Sequence, residues 1–146
     1  GDQGCEAVGT TCLRVISGLG TPVLWWMACA ALVAGIWWWL GRRDWRFAVP
    51  VLGVLAVWLP WFQFAARPLF FFYAIVLLPF YATGLAMALG KILGPANHPK
   101  RRLRAMLVGL AVSVVILHFT FIYPILTDGL LTRPEWLSRM WFGTWI

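Results

Sequence analysis

The sequence predicts an all-α fold, a polytopic membrane helix bundle with four spans. Three observations carry that expectation. Of 146 residues, 62% are hydrophobic and 12% charged, against about 45–50% and about 25% in a soluble domain. The apolar residues fall in four long uncharged or nearly uncharged runs. The net charge of +7 is concentrated between those runs instead of being spread along the chain. So little charge cannot coat a water-facing surface, which excludes an ordinary soluble enzyme and a disordered segment. A nucleic-acid partner, the usual reading of a basic chain, is set aside because the cations flank spans.

The first run, 22–40, has no charge. At 1.5 Å per residue it is about 28 Å long, close to the hydrocarbon thickness of a bilayer. Thr21-Pro22 reads as an N-cap followed by proline at the first helical position. The second run is 47–64 and the third 69–89, separated by Ala65-Ala66-Arg67-Pro68. Together they are too long for one span, so the Arg-Pro pair marks a tight turn between two helices. Pro79, in the middle of the third run, is expected to kink that helix. The fourth run, 105–125, contains His118 and ends at Tyr123-Pro124. The chain thus divides into an N-terminal segment 1–21, a four-helix region 22–126 and an interfacial tail 127–146.

Orientation follows from lysine and arginine. Arg42, Arg43, Arg46, Lys91, Lys100, Arg101, Arg102 and Arg104 fall in the two loops on one side, opposed only by Asp44. On the other side Arg14, Arg67, Arg133 and Arg139 are balanced by Asp2, Glu6, Asp128 and Glu135. The expectation is a multi-pass protein of the cell membrane with the two basic loops cytoplasmic and both termini outside. Most of the eleven tryptophans fall at run ends, where indole favours the headgroup zone. Those of the tail suggest a segment lying along the outer leaflet. Ala31/Gly35, Gly84/Ala88 and Gly109/Ser113 are small pairs at spacing four, which permit close helix approach. The polar start is not a signal peptide, so the chain reads as the continuation of something longer.

Candidate site residues are few. Cys5 and Cys12, outside the membrane, form either a disulfide or two free thiols. Two sulfurs without a nearby histidine do not fill a zinc shell, so no metal is expected. Arg67, at the outer tip beside Leu69-Phe70-Phe71-Phe72-Tyr73, either binds a lipid phosphate or snorkels to water. His118 either makes an interhelical hydrogen bond or handles protons or substrate. Arg139, with Trp141, anchors the tail to lipid phosphate or to a neighbouring domain. There is no intramembrane carboxylate pair, no nucleophile with a base and no phosphate loop, so the residues alone offer no complete active site.

Three stretches in order carry a resemblance: GLGTPVLWW (residues 18–26), LPWFQFAARPLFFFYAIVLLPF (59–80) and FIYPILTDGLLTRPEWLSRMWFGTWI (121–146). Together they resemble the C-terminal membrane region of bacterial protein O-mannosyltransferases of the actinobacterial type. The resemblance implies a GT-C type glycosyltransferase that moves mannose from polyprenyl-phosphate-mannose to Ser or Thr of exported proteins, without cofactor or metal. It further implies that Arg67 and Tyr73 contribute to the donor lipid-phosphate site. The family's catalytic acid lies in an N-terminal outer loop, and Asp2, Glu6, Asp128 and Glu135 do not match it. No catalytic residue is therefore assigned. The chain looks like the last four helices of a larger enzyme, its partners being the bilayer, the lipid donor, the acceptor proteins and the rest of the same enzyme. The alternative is a non-catalytic integral membrane scaffold.

Overall fold

Proline placement governs where the helices begin, because proline has no N–H to donate and its ring obstructs the preceding turn. In the computed structural model, which describes residues 12–64 and 71–143, α1 spans Pro22–Arg42, with Pro22 at its first position. A short 3₁₀ segment, Trp45–Phe47, leads into α2, Ala48–Trp58, whose Pro50 lies in the first turn. There the backbone N–H groups lack intrahelical acceptors in any case. The α-helix stops at Trp58, and Leu59–Phe64, which contains Pro60, continues as a 3₁₀ helix.

The third run departs from the sequence expectation. Pro79 does not kink one continuous α-helix. Residues Phe71–Leu77 are 3₁₀, and α3, Leu78–Leu93, starts immediately before the proline. With Pro79 in its first turn, α3 loses no internal hydrogen bond. The fourth helix, α4, spans Arg101–Leu126 and carries Pro124 inside its last turn. It begins four residues before the apolar run, so Arg101, Arg102 and Arg104 occupy its first turn. That end carries a partial positive charge, and no acidic residue in the turn offsets it. Among the described residues four helical stretches are, by length and composition, able to cross a membrane: Pro22–Arg42, Trp45–Gln63, Ala74–Leu93 and Arg101–Leu126.

The chain forms two bodies. The larger, Pro22–Val115, holds α1, α2, α3 and the first part of α4. In lipid, apolar side chains gain little by leaving one hydrocarbon environment for another, so association rests on close van der Waals fit. The buried positions of α1 are Pro22, Ala28, Ala31, Leu32 and Gly35, the last four at helical spacing on one face. Gly84 and Ala88 are the buried positions of α3. A Cβ on Gly84 would stand 3.0 Å from Leu32 Cδ2, so α1 and α3 meet through missing side chains. Leu32, Val51, Val54 and Leu77 form the core there, with Phe80 and Tyr81 packed against it. Two of the small pairs, Ala31/Gly35 and Gly84/Ala88, are thus contact positions. Gly109 is not: among the described residues nothing lies within 4 Å of where its Cβ would be.

The smaller body joins residues 12–21 to residues 116–143. Here β1, Cys12–Leu13, pairs antiparallel with β2, Leu131–Thr132, placing Cys12 opposite Thr132 and Leu13 opposite Leu131. The backbone N–H of Ser17 donates to the Ile125 carbonyl at 2.9 Å. Ile122, Ile125, Leu131 and Met140 form the core, with Leu19 and Trp136 against it. The tail is therefore folded onto the end of α4, and Trp136 is a core contact in place of the interfacial ring expected of it. Asp128 takes a left-handed φ of 57°, and Gly129 N–H donates to the Pro124 carbonyl at 2.7 Å. This is the Schellman closure of α4. A Cβ on Gly129 would stand 2.9 Å from that same carbonyl oxygen.

In the larger body Gly53 is the tightest approach, because the Phe80 ring occupies the space a Cβ would need. Gly53→Ala should lower stability by about 1–3 kcal/mol, the usual cost of overpacking. Gly90→Ala, with nothing within 4 Å, should be neutral or stabilising by up to about 1 kcal/mol. Thermal unfolding of both variants in detergent checks the contrast.

Candidate functional site

Of the residues the sequence singles out, Arg67 and Cys5 lie outside the described residues. Tyr73 falls within the 3₁₀ segment Phe71–Leu77. Cys12 is half-buried in β1. Arg139 and Trp141 are placed in full, and both belong to the cradle at the end of α4.

The cradle is built from the Thr132 turn upward. Thr132 Oγ1 accepts from the backbone N–H of Glu135 at 3.4 Å, and Glu135 Oε2 accepts from the backbone N–H of Thr132 at 2.9 Å. This reciprocal capping box starts α5, Arg133–Leu137. Its sequence signal is Thr-x-x-Glu with a proline between, which marks a helix start within a tail otherwise too polar and broken to be a span. The Thr132 N–H bond holds the Glu135 carboxyl below its ordinary value of 4.5. Arg139, just past α5, donates from Nε to the Phe121 carbonyl at 2.8 Å and from a terminal nitrogen to the Glu135 carbonyl at 2.6 Å. Its guanidinium also lies 4.6 Å from the centre of the Phe121 ring. The planar fork thus ties α5 to the last turns of α4, a geometry lysine cannot copy. Within the described residues Arg139 anchors the tail to its own helix.

His118 lies one turn before Phe121 in α4. It is 8% exposed, and its ring centre is 4.7 Å from that of Trp141. Neither ring nitrogen has a hydrogen-bond partner among the described residues. The interhelical hydrogen bond expected of His118 is not made there, and the ring packs against the Trp141 indole at a tilt of 55° instead. Trp136 Nε1 is buried in the same condition. Among the described residues no group of three His, Cys, Asp or Glu comes together to hold a metal.

The larger body carries a second polar assembly, which sequence reasoning missed as a unit. Lys91 Nζ lies 2.6 Å from Asp44 Oδ2 and 5.9 Å from the centre of the Phe47 ring. Phe47 is 1% exposed and packs on Trp38 with ring centres 5.0 Å apart. The hydrogen bond from Lys91 holds the Asp44 carboxyl below its ordinary value of 3.8. Arg101 donates to the Gly94 carbonyl, and Arg104 lies over Gly94, 2.6 Å from where a Cβ would stand. At a φ of 67°, Gly94 is the turn residue that only glycine fills without strain. No local spacing announces the Asp44–Lys91 pair, since the partners belong to different helix ends.

The decisive observation is in the relatives. The polyprenol-phosphate-mannose–protein mannosyltransferase of Mycobacterium tuberculosis is 36% identical over 144 residues, 97% of this chain and 27% of its own length. That of Mycolicibacterium smegmatis is 37% identical over 97% of this chain and 28% of its own length. That of Corynebacterium glutamicum is 32% identical over 99% of this chain and 28% of its own length. The chain is a homologue of these mannosyltransferases. It spans little more than a quarter of the length of the curated relatives it matches. No family model matches the chain, and no solved structure does. The resemblance drawn from residues 18–26, 59–80 and 121–146 and the match along nearly the whole chain agree on the mannosyltransferases.

Two outcomes test the cradle. Arg139→Ala should lower the opening free energy of α5 by about 1–2 kcal/mol, with Arg139→Lys restoring little of it. Amide exchange of Glu135, Trp136 and Leu137 reads both. Because the fold favours the ionised Glu135, its contribution is complete above the ordinary value of 4.5 and is lost as pH falls below it. Protection factors of α5 should fall between about pH 5 and pH 3 and stay flat in Glu135→Gln.

Proposed function

We propose that this chain is the C-terminal membrane module of a polyprenol-phosphate-mannose–protein mannosyltransferase. The observation that carries the reading is 32–37% identity to such enzymes along 97% or more of the chain. The four membrane-capable helices support it. In this reading the basic loops face the cytoplasm, and the tip at Arg67 and the tail face outward.

The reaction is transfer of mannose from polyprenyl-phosphate-mannose to a Ser or Thr hydroxyl of an exported protein. A carboxylate outside this chain takes the hydroxyl proton as the oxygen attacks the anomeric carbon. The bond between that carbon and the phosphate oxygen breaks, and the lipid phosphate leaves with the electron pair. Negative charge gathers on the phosphate, so a guanidinium beside it stabilises the transition state more than the ground state. Arg67 is assigned that role, with Tyr73 beside it. The module then binds and orients the donor and does not itself turn over. Cys5 and Cys12 form a disulfide in the outer segment.

The test uses a full-length enzyme. Grafting this chain onto the matching segment of the Mycolicibacterium smegmatis relative should retain mannosyl transfer to an acceptor peptide. In that enzyme Arg67→Ala should cut kcat by about a hundredfold to a thousandfold, as loss of one charge-stabilising donor does, while membrane yield persists. Unchanged donor KM and kcat would remove Arg67 from the site. Separately, peptide mapping of the unreduced protein should recover Cys5 and Cys12 as one linked pair, and two alkylated thiols would contradict it.

A further inference from the structure

The basic end of the larger body carries more positive charge than the protein itself compensates. Arg42 ends α1 and Arg43 follows it, Arg46 lies in the next 3₁₀ segment, Lys100 precedes α4 and Arg102 lies in its first turn; all five are exposed. Asp44 is the only acid in these loops, and Lys91 occupies it at 2.6 Å. Among the described residues none of the five has an ion-pair partner. Three arginines in the first turn of α4 also oppose the helix dipole. Arg101 and Arg104 are partly committed to the Gly94 turn, which leaves Lys100 and Arg102 to face outward. Two large apolar side chains frame this end, Trp37 at 66% and Trp45 at 70% exposure. Exposed indole beside exposed guanidinium is the chemistry of the headgroup zone. Between the α1–α2 link and α3 lies an open groove of about 370 Å³, lined by Asp44, Arg46, Phe47, Met87, Gly90 and Lys91. Met87 gives it an apolar side and Arg46 a cationic rim, and the one carboxylate in it is already neutralised.

We propose that this end of the bundle is a binding surface for anionic phospholipids, with the phosphate on Arg46 at the groove rim, the glycerol end of the acyl chains against Met87, and Arg43, Lys100 and Arg102 adding to the positive field. Guanidinium suits phosphate oxygens by shape and charge, and clustered basic residues next to a span gain from an anionic leaflet. A zwitterionic headgroup offers the same phosphate with its charge cancelled, so it competes poorly. The surface acts on the lipid environment of the module and does not depend on the transferase reading.

The experiment measures bound lipid, not sugar transfer. The chain is purified from mixed micelles containing equal phosphatidylglycerol and phosphatidylcholine, and retained lipid is counted by native mass spectrometry. Phosphatidylglycerol should be enriched on the order of tenfold. Arg43→Gln/Arg46→Gln/Lys100→Gln/Arg102→Gln, which spares the two arginines of the Gly94 turn, should lose that enrichment. Arg133→Gln, an exposed cation of the other body, should keep it. Circular dichroism confirms helix content. Should the fourfold variant fail to fold, the two pairwise variants are measured, together with the parent at raised salt, where screening should erode the preference. Equal retention of the two lipids, enrichment that survives the substitutions and salt, or equal loss in Arg133→Gln would each overturn the proposal.

Discussion

A bilayer interior supplies no hydrogen-bond partners, and this structure depends on that constraint. Every backbone group at depth must be satisfied within its own helix, so proline costs least where no N–H is required. Pro22, Pro50 and Pro79 all lie in first turns of α-helices. Pro124, in the last turn of α4, is the exception: it cannot donate to the Thr120 carbonyl, while its own carbonyl accepts from Gly129 N–H in the Schellman closure. Hydroxyls obey the same rule. Thr83, Thr120 and Thr127 each donate to the carbonyl four residues earlier, to Pro79, Ile116 and Tyr123. His118 departs from it: neither ring nitrogen has a partner among the described residues, and a buried polar group left so costs on the order of 1–3 kcal/mol.

With backbone demands met internally, side chains settle how the helices meet. Lipid removes the ordinary hydrophobic gain, so fit decides: α1 and α3 approach through small residues such as Ala28 and Gly84, and Gly35 of α1 lies against Phe47 and Val51. The polar ties lie at the ends: Asp44 with Lys91 in one body, Arg139 with the Phe121 and Glu135 carbonyls in the other. At such ends a guanidinium or a carboxylate keeps access to water while fixing a turn.

How far this was legible depended on range. The runs that become α1 and α4 could be read because composition over twenty residues is a local property. The 3₁₀ segments on either side of residues 65–70 could not, because hydropathy does not distinguish a 3₁₀ turn from an α turn, and the effect of Pro79 depended on where the α-helix began. The β1–β2 ladder was invisible, since it pairs Cys12–Leu13 with Leu131–Thr132 across the whole four-helix region. The Thr132–Glu135 box was present as a spacing and went unused. The role of Arg139 was half legible: an anchoring residue by its setting, but with α4 as the thing anchored. The family was legible from the order of three aromatic-rich stretches, because sequence order survives where single motifs are weak.

In the proposed topology charge sorts this chain across a membrane: the two basic loops, with seven more positive than negative side chains, lie inside, and the outer segments carry none in excess. Labelling of intact cells with a membrane-impermeant maleimide tests it most directly, using Asn97→Cys and Gly143→Cys separately in a chain without its native cysteines. The account predicts that Gly143→Cys is labelled from outside and that Asn97→Cys is labelled only after the cells are opened. Labelling of Asn97→Cys in intact cells, or equal labelling of the two positions, would contradict it.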